Sequence, residues 1–186
     1  MKKFFTLVFI AILAVGSLWA LVHYLKMDRF TFAWSLNFML MFYVSIFIET
    51  SKSQLTSSYY ENFAWERSGK VYEGLGINLF RKLLVLIGWE KLTKKANPIE
   101  KDTMVLIKLH EQTKKSELGH LVVLIIVLGF NIYVAARFGV IKSLWLLALN
   151  ILLNLYPVLL QRYNRPRIAR AIAISKRNQE KVTRLA

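Results

Sequence analysis

The chain contains no cysteine, few prolines (3) and few acidic residues, with 11 Asp and Glu set against 26 Lys and Arg. Without cysteine there are no disulfide staples, no thiolate metal sites, no cysteine nucleophile and no S-palmitoylation. The shortage of acid leaves no Asp-rich cluster of the kind that holds magnesium. A Gly-rich phosphate cradle is also missing, because Gly74-Leu75-Gly76 lacks the third glycine and the strand context. Ser-centred hydrolase motifs are absent too. What the chain does have is apolar sequence: 55% of its 186 residues are hydrophobic, yet its formal charge is +15. Those two properties coexist only if they are segregated along the chain. Four apolar runs alternate with polar segments, and most basic residues lie outside the runs. That pattern argues against a disordered basic tail protein and against a water-soluble nucleic-acid binder.

A helix crossing about 30 Å of hydrocarbon needs roughly 20 apolar residues. Residues 4–25, 30–48, 119–136 and 139–160 each supply such a run, and none shows the period-2 alternation of a membrane barrel strand. The expected fold is therefore an all-α integral membrane protein with four transmembrane helices in a single membrane domain. The first run follows Met-Lys-Lys and could be read as a signal peptide. Its core is too long for that, and Leu21-Val22-His23-Tyr24 continues it, so a retained helix is expected. Loop charge sets the orientation. The segment 50–118 carries 12 Lys and Arg and the tail 161–186 carries 8, whereas the turn after the third run holds only Arg137. The positive-inside rule places both termini and the middle segment of a multi-pass protein in the cytoplasm. Within the middle segment, Gly76 to Leu92 is apolar, interrupted by basic residues and too short to span. An interfacial, amphipathic helix is expected there, with Trp89 at headgroup level. Asn97-Pro98 breaks the chain, and Asp102 to Glu117 reads as a helix running towards the third span.

Polar groups near or within the bilayer are costly, so their placement is informative. Glu117 and His120, three residues apart, share one helical face at the entrance of the third span. Asn131 lies about 20° around from His120 and roughly 16 Å deeper. On the fourth span Asn150, Asn154 and Gln161 form a second stripe, ending in Gln161-Arg162-Tyr163-Asn164-Arg165-Pro166-Arg167. Two facing stripes would make a polar cleft. Each piece also has a plain structural reading. Glu117 and His120 can be a helix-end charge pair, the asparagines can be interhelical hydrogen-bonding glue, and the arginines can be an anchor for anionic lipid. His23 and His110 read as structural or solvated. Only one Glu-x-x-His occurs, where a di-iron bundle needs two, and no third His supports zinc, so no metal site is expected.

The run Gln161 to Arg167, after Asn154-Leu155-Tyr156-Pro157, resembles the signature of the glycosyl-4,4'-diaponeurosporenoate acyltransferase family, small bacterial membrane proteins of carotenoid-ester biosynthesis. Glu111 to His120 is similar to that family's E-x-x-x-x-x-E-L-x-H block. Tyr72-Glu73-Gly74-Leu75-Gly76-Ile77, followed by Arg81-Lys82, is similar to its Y-E-x-L-G-V segment. The resemblance spans about Glu66 to Ile168. It departs at Gly119 and in having no Trp after His120. What it implies is transfer of a fatty acyl group from an activated donor, such as acyl-CoA acting as co-substrate, to a sugar hydroxyl of a lipid-linked acceptor. No bound cofactor is implied. In that reading His120 is the base and Glu117 orients it. Asn154, Asn164 or Arg162 would hold the oxyanion, Arg165 and Arg167 the donor phosphates, and Gln161, Tyr72 and Glu73 the substrate. The expected partners are the bilayer, the acyl donor and the sugar acceptor, with no nucleic acid. The rival reading is a non-catalytic membrane protein whose basic face binds anionic lipid or an acidic partner.

Overall fold

The computed structural model describes residues 1–52, 54–88 and 102–185, and these are helical or in short turns, with no strand among them. The helices are α1 (Lys2–Tyr24), α2 (Phe30–Ser51), α3 (Val71–Gly74), α4 (Ile77–Leu86), α5 (Thr103–Phe138), α6 (Val140–Asn150) and α7 (Tyr156–Leu185). Four helical stretches are long and apolar enough to cross a membrane: α1, α2, the apolar part of α5, and the stretch from Val140 onward. The described residues form two compact units. One comprises Met1–Gln54 with Lys115–Val158, and the other Leu55–Lys114 with the residues from Leu159.

In the first unit, α1 is apolar all round and buries only Ile10, while Phe4, Phe9, Ile12, Val15 and Trp19 face outward. A helix of that kind suits hydrocarbon as its solvent. The packed centre lies elsewhere. Phe32, Ala33, Leu36 and Leu40 of α2 meet Val123, Val127 and Val134 of α5 and Leu146 and Leu149 of α6. Spacings of three and four keep the α2 set on one face. The Met41, Val44 and Ile48 side chains lie within 4 Å of where a Cβ on Gly119 would stand, so α5 lies close against α2 at that level. Lipid tails are as apolar as leucine, so packing alone discriminates weakly between helices, and polar side chains add specificity. The asparagines do this here. Asn131 donates to the Ser143 carbonyl at 2.8 Å and Asn150 to the Leu124 carbonyl at 3.0 Å. Asn154 donates to Asn37 Oδ1 at 2.6 Å and to Asn150 Oδ1 at 2.8 Å.

Asn154 sits in a π-helical turn, Ile151–Leu155, between α6 and α7. Such a turn inserts an extra residue and shifts the register of everything after it. The stripe expected from uniform α-helical spacing is therefore interrupted. Asn150 and Asn154 pair inside the first unit, while Gln161 belongs to the second. The basic stretch 161–185, expected as a tail, is helical to Leu185 despite Pro166.

In the second unit, α4 starts at Gly76, whose φ of +81° suits glycine, and buries Ile77 and Phe80 while exposing Leu79, Val85 and Leu86. Ten residues rise only about 15 Å, too short to span. Trp89 and the Asn97-Pro98 break lie outside the described residues. Thr103 Oγ1 and Ser175 Oγ meet at 2.7 Å and fasten the start of α5 to α7.

The amide network makes a testable claim. Asn37→Leu removes the acceptor of Asn154 and should destabilise the protein by about 0.6–1.7 kcal/mol. Detergent-solubilised protein unfolded with increasing SDS fraction reads this directly, and an unchanged midpoint would mean the network is not holding the helices.

Candidate functional site

The second unit gathers most of the candidate residues around one buried carboxylate. Glu66 is 1% exposed and lies in a tight helical turn, Ala64–Gly69. Its Oε2 accepts the Phe63 backbone N–H at 2.9 Å, and its Oε1 accepts the Tyr72 hydroxyl and Arg162 Nη1, the latter at 3.1 Å. Arg162, 7% exposed, also donates to the backbone carbonyls of Tyr59 at 2.7 Å and Glu61 at 3.3 Å. Its guanidinium carbon lies 4.4 Å from the Tyr59 ring centroid and 5.2 Å from that of Phe63. A planar cation with forked donors can satisfy a carboxylate, two carbonyls and two ring faces together, which a lysine ammonium cannot.

The other signature arginines act in the same way. Arg165 donates Nε to Thr113 Oγ1 and Nη1 to the Tyr60 carbonyl, both at 3.2 Å. Thr113 in turn donates to the His110 carbonyl at 2.7 Å. Arg167 stacks 3.5 Å over the Tyr163 ring and pairs with Glu73 Oε1 at 3.1 Å. Between these contacts Arg67, Ser68 and Gly69 all take positive φ, at 47°, 55° and 89°. Two consecutive non-glycine residues in the left-handed region are costly unless their surroundings hold them there. A Cβ on Gly69 would lie 3.1 Å from the Tyr163 carbonyl oxygen and 3.0 Å from Arg167 Nη1, a tight fit on top of a φ that L side chains rarely adopt.

The expected residues thus fall into two groups. Tyr72, Glu73, Arg162, Arg165 and Arg167 converge in the second unit, with Asn164 and Gln161 half-buried on the same helix. Tyr72 and Glu73 fasten to the acid–arginine framework, through Glu66 and Arg167 respectively. Glu117, His120 and Asn154 belong to the first unit. Glu117 is fully buried, and one turn on, His120 keeps a buried Nδ1 with no hydrogen-bond partner. The His120 ring lies within hydrogen-bonding reach of Asn154 and the Leu153 carbonyl. Both amide hydrogens of Asn154 are engaged by Asn37 and Asn150, so it has none to offer an oxyanion.

Two features escaped the sequence reading. Glu66, the hub of the arginine framework, lies at the edge of the resemblance, one of several acids in the segment 50–118 with nothing in the sequence to single it out. His110, read as structural or solvated, lines a cavity of about 300 Å³ together with Lys114, Arg165, Asn62, Thr56 and Ser57. Nothing in the one-dimensional pattern joins residues 56–62 to 110–114 and 165.

A family model described as glycosyl-4,4'-diaponeurosporenoate acyltransferase matches residues 56–174, well over half the chain. No curated protein and no solved structure matches it.

The framework predicts strong coupling. Glu66→Gln leaves Arg162 buried without its counter-charge and should cost about 3–5 kcal/mol, whereas Tyr72→Phe should cost about 1 kcal/mol. Thermal midpoints of the single variants and of Glu66→Gln/Arg162→Met measure this. Strictly additive losses would show that the pair does not act as a unit.

Proposed function

Because the chain belongs to the glycosyl-4,4'-diaponeurosporenoate acyltransferase family, we propose that it moves a fatty acyl group from an activated donor to a sugar hydroxyl of a lipid-like acceptor, a carotenoid glycoside or related glycolipid. The donor in this reading is a thioester such as acyl-CoA. The site is served from the cytoplasmic side of the bacterial inner membrane, where the positive-inside charge pattern puts both termini. The amphipathic α4 lies at the bilayer surface.

The observation that carries the chemistry is the buried, unpartnered Nδ1 of His120, one turn from a buried glutamate. A buried nitrogen without a partner is rare, and at an enzyme site it marks a place for a substrate proton. In the reaction the sugar hydroxyl oxygen attacks the thioester carbonyl while its proton passes to His120 Nδ1. Collapse of the tetrahedral species keeps the new C–O ester bond and breaks the C–S bond. The imidazolium then returns the proton to the departing thiolate. Glu117 stabilises the imidazolium that forms between these steps, as an acid does in a hydrolase triad. Direct transfer is favoured over an acyl-enzyme because the chain has no cysteine and the family-like blocks carry no Ser-centred hydrolase motif. The arginines Arg162, Arg165 and Arg167 serve as positioning residues that hold the segment 59–73 in its strained shape.

Purified protein incubated with an acyl-CoA and a glycosylated carotenoid extract tests this reading. His120→Ala should lower transfer by about 10²–10⁴-fold with the fold intact, and Glu117→Gln should lower it by a smaller factor. Full activity in both variants would overturn this mechanism. A deletion strain with no change in any acylated glycolipid or pigment would favour the non-catalytic, lipid-binding reading instead.

A further inference from the structure

We propose that the cavity of the second unit, walled by His110, Lys114 and Arg165, binds a phosphate or diphosphate group. Its volume of about 300 Å³ lies at the lower end of the range for small-ligand pockets. Two cationic side chains and an imidazole converge on it from α5 and α7, and the hydroxyls of Thr56 and Ser57 and the amide of Asn62 line the facing loop. Planar guanidinium, point-charge ammonium and short hydroxyl donors together form the donor set that phosphate oxygens select.

The local hydrogen bonds fix this wall without filling the cavity. Glu111 holds Lys114 Nζ at 2.8 Å, but its half-exposed carboxylate lies off the cavity lining. Arg165 is nearly fully buried and anchored to Thr113 and the Tyr60 carbonyl, so its charge keeps a fixed place. Ser57 Oγ accepts the Tyr59 N–H at 3.3 Å, which leaves its proton to donate. The acidic residue on the wall, Glu61, is exposed, and its backbone carbonyl is taken by Arg162. The lining itself carries two cations, Lys114 and Arg165, against one carboxylate, Glu61, while Glu111 pairs with Lys114 and lies 3.6 Å from His110 Nδ1, so an entering phosphate competes with Glu111 for those two donors.

Two sources supply that chemistry: the diphosphate of a coenzyme-type acyl donor, or the headgroup phosphate of an anionic phospholipid. Assigning the group to the donor rests on the acyl-transfer reading above. The presence of an anion site does not, and the test measures binding without turnover, so the two ideas fail separately.

The test is equilibrium binding of radiolabelled inorganic pyrophosphate to the full-length protein in a neutral detergent. Lys114→Met and His110→Gln should each weaken binding by about tenfold or more, since each removes one wall donor. Lys108→Met, an exposed change elsewhere on α5, should leave binding unaltered. Displacement of pyrophosphate by coenzyme A identifies the donor as the source, and displacement by phosphatidylglycerol but not phosphatidylcholine identifies the lipid. Absence of pyrophosphate binding, or equal binding by wild type and both wall variants, would overturn the proposal.

Discussion

Taking a carboxylate and a guanidinium out of water is expensive for each alone, and the second unit takes both at once. Glu66 and Arg162 are nearly fully buried and meet at 3.1 Å, with Tyr72, the Phe63 N–H and the carbonyls of Tyr59 and Glu61 using their remaining donors and acceptors. In such a pair the value lies less in net stability than in what happens when one member is lost, because the survivor remains buried and uncompensated. The strained run Arg67, Ser68 and Gly69 depends on this arrangement. So do the positions of Tyr72 and Glu73 on the single turn of α3. Residues 56–62, which carry the facing wall of the cavity, are fixed by the same contacts. Arg162 and Arg165 grip their carbonyls, and through them the loop keeps one shape.

The first unit solves a different problem with the same economy of polar groups. Helices in lipid gain little from burying apolar surface against one another, so its asparagines connect α2, α5 and α6 through directed hydrogen bonds. At the π turn Ile151–Leu155, Asn154 bonds to both Asn150 and Asn37. One polar group stands outside this satisfied set. The unpartnered Nδ1 of His120, one turn beyond the buried Glu117, is the feature that packing does not explain.

Much of this architecture was legible in the residues, and the parts that were not have physical causes. The four apolar helices follow from run length alone, and the continuation of Asp102–Glu117 into the third span follows from uninterrupted helical periodicity. The signature from Gln161 to Arg167 pointed to the family that matches residues 56–174. The work done by its arginines was not legible. Arg162 spends its donors on Glu66, Tyr59 and Glu61, about a hundred positions away, and two of those three acceptors are backbone carbonyls that no sequence pattern marks. The stripe of Asn150, Asn154 and Gln161 follows from counting along one helix. Counting at a uniform α-helical spacing could not anticipate the π turn that separates them. His110 was passed over because one histidine on a charged helix resembles any solvated residue, and only the fold puts Lys114, Arg165 and Asn62 around the same cavity.

The central claim is chemical, that a sugar hydroxyl displaces a thiol from an acyl thioester. Mass spectrometry of the products formed by the wild-type protein from an isotopically labelled acyl-CoA and a glycosylated carotenoid tests it most directly. The account predicts a new sugar ester carrying the labelled chain and an equal amount of free coenzyme A thiol. Thiol released without ester, or an intact thioester after prolonged incubation, would contradict it.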